Sequence, residues 1–283
     1  MHIEHQIKSV QRIVRDWKRQ GRTVGFVPTM GNLHIGHLSL VEKARRHTDK
    51  VVVSIFVNPL QFGPTEDFDS YPRTLEQDGA ALAEAGVDLL FAPTVNEMYP
   101  QGQTQQTRVH VPQLGDILEG VSRPAFFTGV ATVVNKLFNC VPADLAVFGN
   151  KDFQQLQVIR RMVTDLNLPM EILGGEIVRE ANGLAMSSRN GYLSSEEKAQ
   201  AAALYQTLCG VRDSILAGAH DYAALEQQAS VRLLSAGFSP DYLSIRSTQD
   251  LSPAVAESRS LVILAAAVLG KTRLIDNISF EIQ

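Results

Sequence analysis

Cysteine is scarce in this chain, and its scarcity argues against two kinds of structural site. Cys140 and Cys209 are the only two in 283 residues, and they lie far apart with no CxxC spacing. A disulfide framework requires several paired cysteines, and a structural zinc site requires clustered Cys or His ligands. We therefore expect neither, and a reducing, cytoplasmic location fits this composition.

An excess of positive charge and long apolar runs are also missing. The 26 Lys and Arg residues are outnumbered by 30 Asp and Glu, so the formal net charge is −4 and gives no general attraction for nucleic acid. The longest apolar run, Leu261–Leu269, is too short to span a bilayer. Apolar and basic residues alternate at helical spacing from Ile3 to Arg19, which predicts an amphipathic helix rather than a signal peptide.

The chain does contain a regular alternation of apolar strands and helices. Strand-like runs cover residues 23–27, 51–57, 87–92 and 144–148, and helical patterns lie between and after them. Another strand is expected near Glu176–Arg179. This order predicts an α/β fold with a Rossmann-like parallel sheet, which binds ligands at the carboxyl ends of its strands.

The rest of the chain has a different order of elements. Two helices are predicted over residues 194–216 and 221–236, and three strands near 242–246, 261–268 and 273–278. Because two helices followed by three strands do not form βαβ units, we expect a second domain. The predicted domains are residues 1–177, Rossmann-like, and residues 178–283, a smaller α+β domain.

The turn after the first strand carries the most informative motif, Pro28-Thr29-Met30-Gly31-Asn32-Leu33-His34-Ile35-Gly36-His37. We expect Pro28 to end the strand, Gly31 to allow a tight turn, and Gly36 to let a flat ligand approach the backbone. His34 and His37 share one face of the first helical turn, where two imidazoles and the helix N–H groups could donate to a polyphosphate. Alternatively, one histidine caps the turn and the other is an ordinary half-buried residue.

Polar residues also follow the later strands. The amides of Asn58 and Gln61 could read hydroxyl groups or a carboxylate without adding charge, although Asn58 could instead merely begin a turn. Lys151 opens a helix, where the dipole disfavours its charge, and this suggests an anionic ligand; a solvated lysine is the alternative. Asp152 could cap that helix or hold a ribose hydroxyl. Residues 187–189, Ser-Ser-Arg, could donate to phosphate, but such strings also occur by chance in surface loops.

Together these strings resemble one family. His34-Ile35-Gly36-His37 resembles the HxGH signature of the nucleotidylyltransferase superfamily, and Met186-Ser187-Ser188-Arg189 occupies the place of its KMSKS-like loop. Over nearly its whole length the chain is similar to the pantothenate synthetases, or pantoate:beta-alanine ligases, in residues 28–37, Phe56-Val57-Asn58-Pro59-Leu60-Gln61-Phe62, Tyr71-Pro72-Arg73, Phe148-Gly149-Asn150-Lys151-Asp152-Phe153-Gln154-Gln155 and Met186-Ser187-Ser188-Arg189-Asn190.

The resemblance implies a reaction. ATP, (R)-pantoate and beta-alanine would be the substrates, a pantoyl-adenylate the intermediate, and pantothenate, AMP and diphosphate the products. It also implies Mg²⁺ accompanying ATP, a cytoplasmic homodimer, and a C-terminal domain that closes over the ATP site.

The resemblance further implies site residues. The catalytic set would be His34, His37, Lys151 and Arg189, with His37 as a candidate proton donor. Asn58, Gln61 and Gln155 would hold pantoate and beta-alanine. The family's run of aspartates is reduced here to Glu76-Gln77-Asp78, so Asp78 is the candidate metal contact. ATP would be held by Pro28, Thr29, Met30, Gly31, Asn32, Leu33, His34, Ile35, Gly36, His37, Gly149, Asn150, Lys151, Asp152, Val178, Met186, Ser187, Ser188 and Arg189.

Two other functions stay open on the sequence. A class I aminoacyl-tRNA synthetase shares this fold and adenylate chemistry, but the chain lacks a basic tRNA-binding appendage, and its Met-Ser-Ser-Arg lacks that family's lysine. A nucleotide-binding regulator would need neither Lys151 nor the paired histidines, and it would bind ATP without turnover.

Overall fold

A computed structural model of the chain describes residues 1–63 and 66–282. They form two compact units. The N-terminal unit comprises Met1–Asn150 and Gln155–Glu176, and the C-terminal unit comprises Lys151–Gln154 and the chain from Ile177 onward. The predicted boundary after residue 177 lies next to the division at Glu176, whereas the grouping of Lys151–Gln154 with the C-terminal unit was not predicted.

The N-terminal unit is built on a six-stranded sheet in which every neighbouring pair is parallel. The strand order β1-β4-β3-β2-β5-β6 places β2 between β3 and β5, so the chain changes direction across the sheet at β2. The predicted Rossmann-like parallel sheet is therefore confirmed. The strands are β1 (His2–Glu4), β2 (Val24–Thr29), β3 (Lys50–Ile55), β4 (Leu89–Phe91), β5 (Leu145–Gly149) and β6 (Glu171–Gly175).

Helices connect these strands and bury their apolar stripes against the sheet. In the second helix Leu40, Val41 and Ala44 are buried with valines of β2, β3 and β5, which explains why an apolar, β-branched strand precedes an amphipathic helix. The helices are α1 (Ile7–Arg19), α2 (Ile35–His47), α3 (Leu75–Glu84), α4 (Val95–Met98), α5 (Glu119–Ser122), α6 (Phe126–Cys140) and α7 (Phe153–Asp165), with 3-10 helices at Pro59–Gln61 and Asn150–Asp152.

Pro28 does not end the first predicted strand, because β2 continues to Thr29. Proline has no N–H to give to a ladder. The pairing of β2 with β5 involves only Gly25 and Phe26, so that side of the ladder has ended before residue 28, while Pro28 stays in register with Ser54 of β3. The turn that holds the histidines therefore begins at Met30.

Two other predicted segments were wrong in position. Ile3 was assigned to the first helix, but it lies in β1 and pairs with Leu90, in a strand too short to show a periodic pattern. The strand predicted at Glu176–Arg179 lies instead at Glu171–Gly175, where pairing with β5 and not apolar alternation makes it a strand. Arg179 takes part only in an isolated bridge with Ala185.

The C-terminal unit has the predicted two helices and three strands, and its strands pair as an antiparallel sheet. Ser194 caps α8 (Ser195–Leu216) in a capping box with Glu197, and Asp221 caps α9 (Tyr222–Ser235). The strands β7 (Ser239–Ser247), β8 (Ser260–Leu269) and β9 (Thr272–Glu281) lie in that order. Alternate residues of β8 face the helices and form the core of this unit, namely Leu261, Ile263, Ala265 and Ala267 with Leu204, Leu208 and Ile215 of α8.

Within the described residues, no helix has the length and apolar character needed to cross a bilayer.

Candidate active site

A buried carboxylate holds the turn that follows β2. Gly31 and Asn32 have φ angles of 84° and 50°, a left-handed pair that glycine tolerates and asparagine adopts at some cost. Asp78, which is only 2% exposed, accepts the backbone N–H of Asn32 at 2.9 Å and that of Leu33 at 2.8 Å. The conformation of the turn is therefore fixed from α3, a long way along the chain.

These hydrogen bonds change the interpretation of Asp78. Its Oδ2 atom also accepts the Thr74 hydroxyl at 3.0 Å, so the carboxylate takes three hydrogen bonds from the protein. No group of three or more His, Cys, Asp or Glu side chains in the described residues could hold a metal ion. The geometry thus favours Asp78 as the anchor of the turn, and it gives no support to the predicted metal contact.

The two histidines are joined at the start of α2. Their ring centroids lie 4.1 Å apart. The Gly36 N–H donates to His34 Nδ1 at 3.1 Å, and the His34 N–H donates to His37 Nδ1 at 3.3 Å, which forms a capping box made of imidazoles. Because both Nδ1 atoms accept, the proton of each ring in its neutral form is on Nε2. His34 is therefore a helix cap, as in the structural alternative.

Asn58 is enclosed by the protein after β3. It is 1% exposed, and it caps the 3-10 helix by accepting the Leu60 N–H at 3.3 Å. Its Nδ2 donates to the Gly129 carbonyl at 3.3 Å and to Gln61 Oε1 at 3.1 Å. The backbone N–H of Leu60 can only donate and the carbonyl of Gly129 can only accept, so the orientation of the Asn58 amide is determined.

Tyr99 completes this hydrogen-bond set, and sequence analysis missed it. Its hydroxyl donates to Asn58 Oδ1 at 2.8 Å, and burial raises the pKa of Tyr99, which keeps the hydroxyl protonated. All four hydrogen-bonding positions of the Asn58 amide are then used inside the protein. The predicted direct contact of Asn58 with a substrate is therefore not favoured, and Asn58 instead positions Gln61.

Gln61 connects this set with the histidine motif. Since Gln61 Oε1 accepts from Asn58, its Nε2 faces the other way and lies 3.1 Å from Met30 Sδ. Gly129 of α6 makes this arrangement possible, because a Cβ there would lie 2.1 Å from the Leu60 carbonyl oxygen. Thioether sulfur is a weak acceptor, so the Gln61 amide keeps strong donor capacity for a ligand.

Arg123 holds the backbone of the same loop and was also missed. Its guanidinium donates to the Gln61 carbonyl at 3.2 Å and to both oxygens of Glu66 at 2.6 and 2.5 Å. It also lies 3.7 Å from the ring centroid of Phe126. The Arg123 guanidinium, held by these partners, therefore fixes the backbone of Gln61.

The end of β5 carries the predicted residues Gly149, Asn150, Lys151 and Asp152. In the N-terminal unit Asn150 packs closely on β6, since a Cβ on Gly174 would lie 2.2 Å from Asn150 Oδ1. In the C-terminal unit Lys151 Nζ lies 3.9 Å from Asp152 Oδ2, and Asn277 Nδ2 donates to the Lys151 carbonyl at 2.8 Å. Gln155 is half-buried in α7, in the turn that follows.

The last predicted segment forms a compact loop within the C-terminal unit. The Met186 N–H donates to the Val178 carbonyl at 2.9 Å, and Ser187 caps a 3-10 helix by accepting the Arg189 N–H at 3.2 Å. Asn190 is buried, and its Nδ2 donates to the Ala185 carbonyl at 3.0 Å. Val178 and residues 186–189 are thus brought together by backbone hydrogen bonds.

Hydrogen bonds join several of the predicted residues within each unit. In the N-terminal unit, residues 28–37 are linked to Gln61 through Met30. In the C-terminal unit, Asn277 of β9 donates to the Lys151 carbonyl, and its neighbour Asp276 accepts from Arg179 in the loop at residues 178–189.

A family model described as pantoate-beta-alanine ligase matches residues 2–279. The chain belongs to this family. The pantothenate synthetase of Pseudomonas fluorescens strain Pf0-1 is 56% identical over 283 residues, which cover 100% of this chain and 99% of that protein.

Solved structures agree with this assignment. The crystal structure of pantothenate synthetase from Thermus thermophilus has a TM-score of 0.92 at 46% identity, and it covers 98% of this chain and 99% of its own. The crystal structure of the pantoate-beta-alanine ligase from Francisella tularensis, complexed with beta-gamma ATP and beta-alanine, has a TM-score of 0.83 at 35% identity. The match covers 98% of this chain and 97% of that chain.

The family assignment decides among the three functions open on the sequence. The chain is an enzyme of pantothenate biosynthesis, a ligase that uses ATP to condense pantoate with beta-alanine. The aminoacyl-tRNA synthetase and the non-catalytic regulator are set aside, because the match extends over the full chain.

Proposed function

We propose that the ligase activates (R)-pantoate on the residues described above and forms a pantoyl-adenylate. The pantoate carboxylate attacks the α-phosphorus of ATP, and diphosphate leaves. The amine of beta-alanine then attacks the adenylate carbonyl, and AMP leaves with the former carboxylate oxygen. The observation that carries this proposal is the pair of imidazoles joined in a capping box at the N-terminus of α2.

The phosphates of ATP are assigned to the turn at residues 28–37. Diphosphate gains charge as it leaves, and fixed donors that await this charge lower the barrier without reorganisation. We assign this role to the imidazoles of His34 and His37 and to the N-terminal end of α2. Since both Nδ1 atoms accept backbone N–H groups, we assign the contact with phosphate to the Nε2 side of the rings; His37 is also the proposed proton donor.

The residues of the C-terminal unit are assigned to the rest of the nucleotide. Lys151 and Arg189 add charge at the phosphates, and they complete the catalytic set with the two histidines. Asp152, Val178 and residues 186–188 of this unit are assigned to adenosine and phosphates by their motifs, as are Gly149 and Asn150, which belong to the N-terminal unit. Closure of this unit over the ATP site stays a prediction.

Pantoate is assigned to Gln61 and Gln155. The orientation of the Gln61 amide, set by Asn58 and Tyr99, presents an Nε2–H donor that suits a carboxylate or hydroxyl oxygen. Gln61 also stays a candidate for beta-alanine. We assign Asn58 to the positioning of Gln61 in place of a direct substrate contact.

Mg²⁺ is proposed as a companion of ATP. The carboxylate of Asp78 already accepts three hydrogen bonds, so it does not fit the role of a dedicated ligand. Mg²⁺ that takes its oxygens from phosphates and water needs no protein cage, and this fits the side chains present. A homodimer is proposed on the family resemblance alone, and a cytoplasmic location on the scarcity of cysteine together with that resemblance.

The test is isotope exchange between diphosphate and ATP. With pantoate and without beta-alanine, labelled diphosphate should enter ATP, because adenylation is reversible and precedes the amine. An enzyme that makes pantothenate but shows no such exchange would exclude a free pantoyl-adenylate step.

A further inference from the structure

Two adjacent residues of β9, Asp276 and Asn277, lie where the nucleotide motifs of the C-terminal unit meet. Both are buried, at 4% and 3% exposure, on a strand whose other buried residues are Thr272 and Leu274. Buried polar side chains are costly unless they are hydrogen-bonded, so their partners indicate why they are there.

Asn277 holds the main chain at Lys151. Its Nδ2 donates to the Lys151 carbonyl at 2.8 Å, across 126 residues of sequence. The Lys151 carbonyl lies in the 3-10 turn Asn150–Asp152, between the end of β5 and the start of α7. The hydrogen bond thus fixes the backbone from which the Lys151 side chain extends.

Asp276 holds the segment that carries the other motif. Its two carboxylate oxygens accept from Arg179 Nη1 at 2.6 Å and Nη2 at 2.9 Å, in a bidentate pair. Arg179 also donates to the Gly183 carbonyl at 3.1 Å and lies 3.6 Å from the ring centroid of Tyr205. Since Arg179 follows Val178 directly, this pair anchors the loop at residues 178–189.

The two residues also hold each other. The Asn277 N–H donates to Asp276 Oδ1 at 2.7 Å, and the Asn277 carbonyl accepts from Arg179 Nη2 at 3.2 Å. A displacement of either residue would therefore move both the backbone at Lys151 and the loop at residues 178–189. Burial raises the pKa of the Asp276 carboxyl, and the charge of Arg179 acts against that shift.

We propose that Asp276 and Asn277 are positioning residues for the adenylation step, which set Lys151 and the loop at residues 178–189 in one fixed relation. This inference rests on the proposed role of Lys151. Neither residue has to touch a substrate, because a displacement of about 1 Å at a catalytic group can cost about 100-fold in rate.

The test uses Asn277→Asp, which keeps the size of the side chain but places an oxygen against the Lys151 carbonyl. We expect the rate of pantoyl-adenylate formation to fall roughly 10- to 100-fold. The reaction of synthetic pantoyl-adenylate with beta-alanine should change much less. Asn277→Ala is the second variant, since it removes the donor without adding charge, and it should give the same ratio of effects.

Asp241→Asn is the matched control. Asp241 lies on β7 and pairs with Arg273 of β9 at 2.6 Å, in the same sheet as Asp276, but this pair is partly exposed and holds no nucleotide motif. We expect the control to leave both half-reactions unchanged. If it slows adenylation as much as Asn277→Asp, general loosening of the sheet explains the effect, and the proposal fails.

A double-mutant cycle with Lys151→Ala tests the positioning role of Asn277 separately from the proposed role of Lys151. If Asn277 acts through Lys151, Asn277→Asp should add little once the lysine side chain is gone. Fully additive effects would overturn the positioning role. If Lys151→Ala alone leaves adenylation unchanged, the proposed role of Lys151 fails, and if Asn277→Asp alone has no effect, the inference about Asn277 fails.

Discussion

Replacement of Asp78 tests whether this carboxylate holds the nucleotide turn or binds metal. Asp78→Asn keeps the shape of the side chain, but it replaces one acceptor oxygen by an NH₂ donor. One of the two N–H groups of Asn32 and Leu33 then faces a donor, within the left-handed turn at Gly31 and Asn32. Asp78→Ala removes both acceptors.

The expected loss follows from these contacts. A hydrogen bond to a charged group is worth about 1.5–3 kcal/mol, and Asp78 is buried, so water cannot replace it. We expect Asp78→Asn to lower the free energy of unfolding of the N-terminal unit by about 1.5–3 kcal/mol, and Asp78→Ala by about 3–6 kcal/mol. These losses should be present without ATP and without Mg²⁺.

The assay is urea unfolding followed by the fluorescence of Trp17, the only tryptophan, which lies in α1 and reports on the N-terminal unit. Asp144→Asn is the control, because Asp144 accepts the Val24 N–H at the opposite end of β2 and lies far from the turn. It should lower stability without changing the apparent KM for ATP, whereas Asp78→Asn should change both. Unchanged stability, with a tenfold higher Mg²⁺ requirement, would show that Asp78 binds metal.

Three further changes test the same contacts. Gln61→Ala should raise the apparent KM for pantoate far more than that for ATP, because about 1–3 kcal/mol is lost where a buried polar group loses its partner; equal changes in an initial-rate titration would make Gln61 structural. Tyr99→Phe should give a smaller rise in the KM for pantoate, equivalent to about 1 kcal/mol of binding free energy, since only one hydrogen bond to Asn58 is removed. A larger effect than that of Gln61→Ala would contradict the view that Tyr99 and Asn58 act through Gln61. Gly31→Ala should destabilise the turn by about 1–3 kcal/mol, as a φ of 84° disfavours a Cβ that would also lie 3.0 Å from Asp78 Oδ2; unchanged stability in urea would contradict this.

The sequence was sufficient for features that depend on local pattern. The strand and helix on either side of the histidine motif, the capping box at Ser194 and the three C-terminal strands follow from apolar periodicity and from capping chemistry. The short strand β1 and the position of β6 could not be predicted, since each becomes a strand only by pairing with a neighbour that is distant in sequence.

The roles within the site depended on contacts that no local pattern contains. From the sequence, Asn58 could either begin a turn or contact a substrate through its amide. Its hydrogen bonds with Tyr99 and Gly129, which are distant in sequence, show that the amide is bound within the protein. The family resemblance made Asp78 the candidate metal contact, but the backbone N–H groups that it accepts lie 45 and 46 residues away in the sequence. Asp276 and Arg179 are 97 residues apart, and each alone is an ordinary charged residue in the sequence.

Single-turnover kinetics of the two half-reactions in His34→Asn test the proposed mechanism most directly. Asparagine is a preferred helix cap, so the variant should keep α2 intact while it loses the Nε2–H donor. We predict that pantoyl-adenylate formation from ATP and pantoate slows roughly 100-fold or more, the scale of one lost fixed donor. The reaction of synthetic pantoyl-adenylate with beta-alanine should slow far less. Equal slowing of both half-reactions, or none of the first, would contradict the assignment of His34 to the departing diphosphate.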